Sequence, residues 1–143
     1  MTVRKYLENS PSLAEGVFID DSAVIIGRVS IGKDSSVWPL TAIRGDVQEI
    51  SIGERSNIQD GSILHVTSPE SYGPDGFELI IGNDVTVGHR VVLHGCVIHD
   101  RVLIGMGAII MDGVLIESDV IVGAGSVVSP GKTLESGGLY VGS

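Results

Sequence analysis

The sequence predicts an all-β fold, a single-stranded parallel β-helix of roughly six coils with one external loop. Three observations predict it. Aliphatic residues recur at every sixth position along most of the chain. A quarter of the 143 residues are Val or Ile, 19 and 17 of them. Twenty glycines punctuate these runs at regular offsets. β-Branched side chains suit a pleated surface, and glycine suits sharp corners. Six residues hold one short strand and one corner, so three such units close a triangular coil that stacks on the next at about 4.8 Å.

The units follow in order. The first run is Ile19, Ile25, Ile31, Val37 and Ile43, and the second is Ile52, Ile58 and Leu64. The third is Ile81, Val87 and Leu93, and the fourth runs from Ile98 through Ile104, Ile110, Ile116, Val122, Val128 and Leu134 to Tyr140. These nineteen positions point inward and fill the prism. Four residues after most of them stands a small or β-branched residue, such as Ala23, Ser35, Val91 or Val120, and one residue after stands glycine at positions such as Gly32, Gly53 and Gly82. The period breaks three times: by extra residues between Ile43 and Ile52, by one residue too few between Leu93 and Ile98, and most widely between Leu64 and Ile81. The widest break carries Pro69, Gly73, Pro74 and Gly76 and reads as an external loop over residues 66–80. Insertions in solenoids collect on functional faces, although a surface insertion is also simply tolerated. Residues 1–143 read as a single β-helix domain, with residues 1–17 as its N-terminal segment.

Composition excludes several classes. One cysteine, Cys96, rules out a disulfide scaffold, and its place in the hexad suggests a small core position. Trp38 reads as core or interface packing. No apolar run is long enough to span a membrane, and residues 1–10 lack the apolar stretch of a signal peptide, so a cytoplasmic protein is expected. The net charge is −9, and the nine bases form no stripe, so nucleic acid is not an expected partner.

Of the four histidines, His65 and His94 each follow an inward residue, Leu64 and Leu93, that lie three units apart. They are expected on one face, one coil apart, where two imidazoles can share an ion. His89 follows Val87 by two and falls near a corner, from which it reaches that ion only across a threefold axis. Three imidazoles and one open position is the layout of a catalytic zinc site. His99 falls on another face and reads as solvated. Arg44 shares the column of His65 and His94, Asp60 underlies His89, Gln59 lies on the adjoining face, and Asp46 sits at a break in the repeat. A ligating imidazole needs its second nitrogen oriented, and Asp60 is a candidate for that role or for pairing with Arg44. A plain structural or subunit-bridging Arg–Asp pair fits Arg44 and Asp46 equally well.

At these residues the sequence resembles the γ-class carbonic anhydrases and their bacterial relatives, within the hexapeptide-repeat superfamily. The matching segments are Val37-Trp38-Pro39, Arg44-Gly45-Asp46, Asn57-Ile58-Gln59-Asp60-Gly61-Ser62 with His65, Val87-Gly88-His89 and Leu93-His94-Gly95-Cys96. Gly105-Met106-Gly107 and Gly123-Ala124-Gly125-Ser126 follow in order.

The resemblance implies a left-handed coil and a homotrimer with a metal site at each subunit interface. His65 and His94 would come from one subunit and His89 from the next. The metal would be Zn2+, with Fe2+ or Co2+ as alternatives, and zinc-bound hydroxide would attack carbon dioxide to give bicarbonate. Gln59 would hydrogen-bond the metal-bound water, and Arg44 would pair with Asp46 or Asp60 across the interface. The chain departs from the family pattern at two points. Val47 stands where those enzymes carry a glutamate, and Val66-Thr67-Ser68 follows His65 where they carry an acidic loop residue. Glu70 is the nearest acid and Tyr72 the nearest phenol for the proton relay. The family's C-terminal helix is not among these residues, which end at Ser143. Two other readings remain: a non-catalytic metal-stabilised trimeric accessory protein, and an acyl- or acetyl-CoA transferase or thioesterase built on the same repeat.

Overall fold

Each inward aliphatic of the hexad becomes one rung of a stacked ladder. The computed structural model describes residues 2–71 and 73–143. All nineteen positions lie on strands paired in parallel with the equivalent residue one coil away, from Ile19↔Val37 to Val122↔Tyr140. Most strands are two or three residues long, because the chain must turn after each one. The result is a left-handed prism with three faces. The first face holds the rungs of Ile19, Val37, Ile58, Val87, Ile104, Val122 and Tyr140. The second holds Ile25, Ile43, Leu64, Leu93, Ile110 and Val128, and the third Ile31, Ile52, Ile81, Ile98, Ile116 and Leu134. The core is this single column of aliphatics, with Ile43, Leu64, Leu93, Ile98 and Ile110 essentially inaccessible to solvent.

The structure sharpens two boundaries. Residues 1–17 contribute strands of their own to the solenoid: Val3–Arg4 pairs with Ile25–Ile26 on the second face, and Ser12–Leu13 pairs with Ser30–Ile31 on the third. Each face therefore carries seven rungs. The period hides this because Tyr6 and Asn9 close a tight antiparallel turn between the two strands. The external loop is also narrower than residues 66–80. Val66 and Leu79 are buried, Leu79–Ile81 is a strand paired with Ile50–Ile52, and an antiparallel bridge between Thr67 and Phe77 closes the neck.

Glycine at the position after a rung is a steric requirement. A Cβ on Gly53 would stand 2.6 Å from the carbonyl carbon of Gly82 on the next coil. The buried Ser35, Ser56 and Ser62 hydroxyls each donate to a carbonyl one coil away, at 2.7, 2.8 and 2.9 Å, so the small polar residues at the corners are satisfied. Along the corner that follows the third face, Asp34, Arg55, Asp84, Arg101 and Asp119 all adopt left-handed φ between 52° and 63°. Their charges alternate, and Arg55 pairs with Asp84 and Arg101 with Asp119 across successive coils. The break after Ile43 is a bulge: Gly27 pairs with Gly45 but Val29 pairs with Ile50, which pushes residues 46–49 out of register.

A candidate metal centre

Register brings the two histidines together. Leu64 and Leu93 are partners on the second face, and His65 and His94 are partners immediately after them. The imidazole centroids lie 5.0 Å apart, with His65 Nδ1 3.0 Å from His94 Nε2. The remaining nitrogen of each ring meets a carboxylate: His65 Nε2 lies 2.9 Å from Asp46 Oδ1, and His94 Nδ1 lies 2.7 Å from Asp112 Oδ1. The bulge after Ile43 is what carries Asp46 up beside His65.

These contacts define the tautomers. An ionised carboxylate only accepts hydrogen bonds, so His65 uses its Nε2–H and His94 its Nδ1–H on the aspartates. His65 Nδ1 and His94 Nε2 are then bare lone pairs facing each other. Two lone pairs at that separation repel unless a cation or an additional proton lies between them. A tetrahedral ion with bonds of 2.0–2.1 Å separates its donor atoms by about 3.3 Å, close to the spacing seen. The donor chemistry fits a divalent ion with imidazole preference, and the paired carboxylates supply the orientation such ligands need.

Arg44 lies one coil from His65 and pairs with Asp46 within the same chain. Within the chain Asp60 meets His89, at 3.1 Å from Nδ1. Burial alone pushes the Asp46 carboxyl up. The hydrogen bond from His65, the Asp46 backbone amide and the charges of Arg44 and His65 outweigh it and hold the carboxyl below its usual range. His89 precedes Arg90, which turns the corner between the first and second faces at φ 56°. With Asp60, Gln59, Asn57 and Trp38 it lines a shallow depression separate from the His65–His94 pair. Among the described residues, no group of three His, Cys, Asp or Glu side chains is arranged to hold an ion within one chain.

Protein YrdA of Escherichia coli is 57% identical to this chain over 141 residues, covering 99% of the chain and 77% of that protein. The mitochondrial gamma carbonic anhydrase 2 of Arabidopsis thaliana is 42% identical over 110 residues, 77% of this chain. The chain belongs to the γ-carbonic-anhydrase-like family of hexapeptide-repeat proteins. It spans 39% of the length of the Arabidopsis member. The repeat itself is matched over residues 95–130 by the family model described as bacterial transferase hexapeptide (six repeats). A crystal structure of a hexapeptide transferase family protein from Anaplasma phagocytophilum superposes on this family member with a TM-score of 0.90 at 38% identity, covering 99% of this chain and 79% of that one.

For a γ-carbonic-anhydrase-like protein the remaining residues divide clearly. Glu70 is exposed on a turn of the external loop and makes no hydrogen bond or ion pair with either imidazole among the described residues. Tyr72 lies outside the described residues. His99 is exposed and Cys96 buried, as expected, and burial pushes the Cys96 thiol up to about 12. Trp38 is not in the core; it is partly exposed and packs on Phe18 with ring centroids 5.1 Å apart. The hexad count missed Asp112 and Thr67. Thr67 donates to both Asp112 oxygens, at 3.1 and 3.0 Å. The signal for Asp112 was a carboxylate one coil, 18 residues, beyond a candidate ligand. Nothing in the period marks Thr67, which belongs to the interrupted stretch.

Proposed function

We propose that this chain is a metal-dependent carbonic-anhydrase-like protein that hydrates carbon dioxide to bicarbonate. One Zn2+ would be held by His65 and His94 of one subunit and His89 of a neighbouring subunit in a homotrimer, with Fe2+ or Co2+ as substitutes. The observation that carries the reading is that His65 Nδ1 and His94 Nε2 face each other at 3.0 Å while the other nitrogen of each ring meets its own aspartate. The similarity to a relative named as a gamma carbonic anhydrase supports it.

When bound, the ion supplies Lewis acidity that makes water nucleophilic near neutral pH. The protein's own groups do the rest. Asp46 and Asp112 hold the two imidazoles in the tautomers that leave their lone pairs free, and Arg44 offsets part of the Asp46 charge. Gln59, in the same depression as His89, offers an amide to orient the attacking water or a substrate oxygen. Asp60, half-exposed beside His89, can pass a proton to solvent. That route does not require Glu70 or Tyr72.

The test is metal content per subunit with stopped-flow carbon dioxide hydration on the same sample. About one zinc per subunit and a rate that collapses in His94→Ala support the proposal. A metal-loaded trimer with no rate above buffer overturns it and leaves a metal-stabilised accessory protein. The likeness to a hexapeptide transferase supports a second reading, acyl transfer or thioester hydrolysis on the same prism. Turnover of an acyl-CoA by a sample inactive on carbon dioxide would select that reading.

A further inference from the structure

We propose that the neck of the external loop and the metal centre are one coupled element, joined through Thr67 and Asp112. This rests on the metal reading above. His94 Nδ1 donates to Asp112 Oδ1 at 2.7 Å, and the Thr67 hydroxyl donates to the same carboxylate at 3.1 and 3.0 Å. Thr67 is buried, so that donor has no competing water. Its backbone forms the loop neck, with Thr67 N to Phe77 O and Phe77 N to Thr67 O both at 3.0 Å.

The neck is seated by glycines. A Cβ on Gly95, next to His94, would stand 2.6 Å from the Phe77 Cβ, and one on Gly113, next to Asp112, would stand 3.1 Å from the Phe77 ring. Gly76 adopts φ 63°, and a Cβ there would stand 2.4 Å from the Thr67 carbonyl. Phe77 therefore rests in a gap kept open on the two coils that supply His94 and Asp112. A shift of Phe77 drags Thr67, and a shift of Thr67 removes the only side-chain hydroxyl that orients Asp112 among the described residues. Thr67 and Asp112 are positioning residues: they act on the ion through the imidazole of His94. Coupling of this kind is reciprocal, so whatever the neck contributes to metal affinity, metal returns to the neck.

The experiment uses the full chain and zinc alone. Zinc affinity is measured by competition with a chromophoric chelator for the natural sequence, Thr67→Val and Thr67→Ser, alongside hydrogen exchange of the Thr67 and Phe77 amides with and without zinc. Thr67→Val should lose about 10-fold to 100-fold in affinity, the range typical of such outer contacts, while Thr67→Ser restores it. In the natural sequence, zinc should slow exchange at both neck amides relative to amides of the first face. Unchanged affinity in Thr67→Val, or neck amides indifferent to zinc, overturns the coupling while leaving the metal site standing. Absence of zinc binding by the natural sequence instead overturns the metal reading itself. The exchange readout needs no variant to fold.

Discussion

His94 Nδ1 and Asp112 Oδ1 stand 2.7 Å apart although 18 residues separate them, because one turn of the prism returns the chain to the same face one strand higher. Asp46 reaches His65 from the opposite side of the pair. The two carboxylates orient different imidazoles, and they are linked through the contact between His65 and His94, where the shared ion would sit.

Orientation of separate rings predicts additive losses. Asp46→Ala and Asp112→Ala should each lower zinc affinity about 10-fold or more, and the double variant should lose the product of the two factors. A chelator competition titration on the three variants checks this; a double variant no worse than either single one would mean that the carboxylates act as a unit.

Leu93 is wholly buried in the middle of the stack, so Leu93→Ala removes packing on both neighbouring coils. It should cost about 2–5 kcal/mol. Leu103, 41% exposed on the first face, should tolerate the same change within about 0.5 kcal/mol. Denaturant unfolding of both variants measures the difference.

Gly53→Ala and Gly107→Ala separate two reasons for glycine. At Gly53 the new Cβ meets the backbone of Gly82 at 2.6 Å and must force two coils apart. At Gly107 the space is open and only the left-handed φ of 70° opposes a side chain, worth about 1–2 kcal/mol. Gly53→Ala should therefore show the larger fall in melting temperature, and the reverse order would contradict the packing account.

The corner ladder predicts an acid dependence. Asp84 and Asp119 are held below the usual carboxylate value of 3.8 chiefly by hydrogen bonds from Arg55 and Arg101. Depressed carboxyls stabilise the folded state above their unfolded value, and that contribution is lost as pH falls through the lower folded value. The stability gap between the natural sequence and the Asp84→Asn/Asp119→Asn variant should be present at pH 6, shrink below pH 4 and narrow in molar salt. Both side chains are exposed to solvent, so the gap is expected to be small. Thermal melts across that pH range read it.

The hexad alone determined the all-β prism, the inward column, the pairing of His65 with His94 and the removal of His89 and His99 to other places. It could do so because a period of six residues leaves no freedom: once Leu64 and Leu93 are rungs, the residues after them must be neighbours. Tertiary structure alone decided the features that depend on departures from the period. Val3 and Leu13 become rungs only through the turn at Tyr6 and Asn9, Asp46 reaches His65 only because the bulge lifts it there, and Phe77 pulls Thr67 onto Asp112 only because Gly95 and Gly113 leave room. A repeat specifies where backbones stack; which side chain crosses from one coil to the next is set by local sterics and hydrogen-bond competition, and these exist only once the coils are in contact.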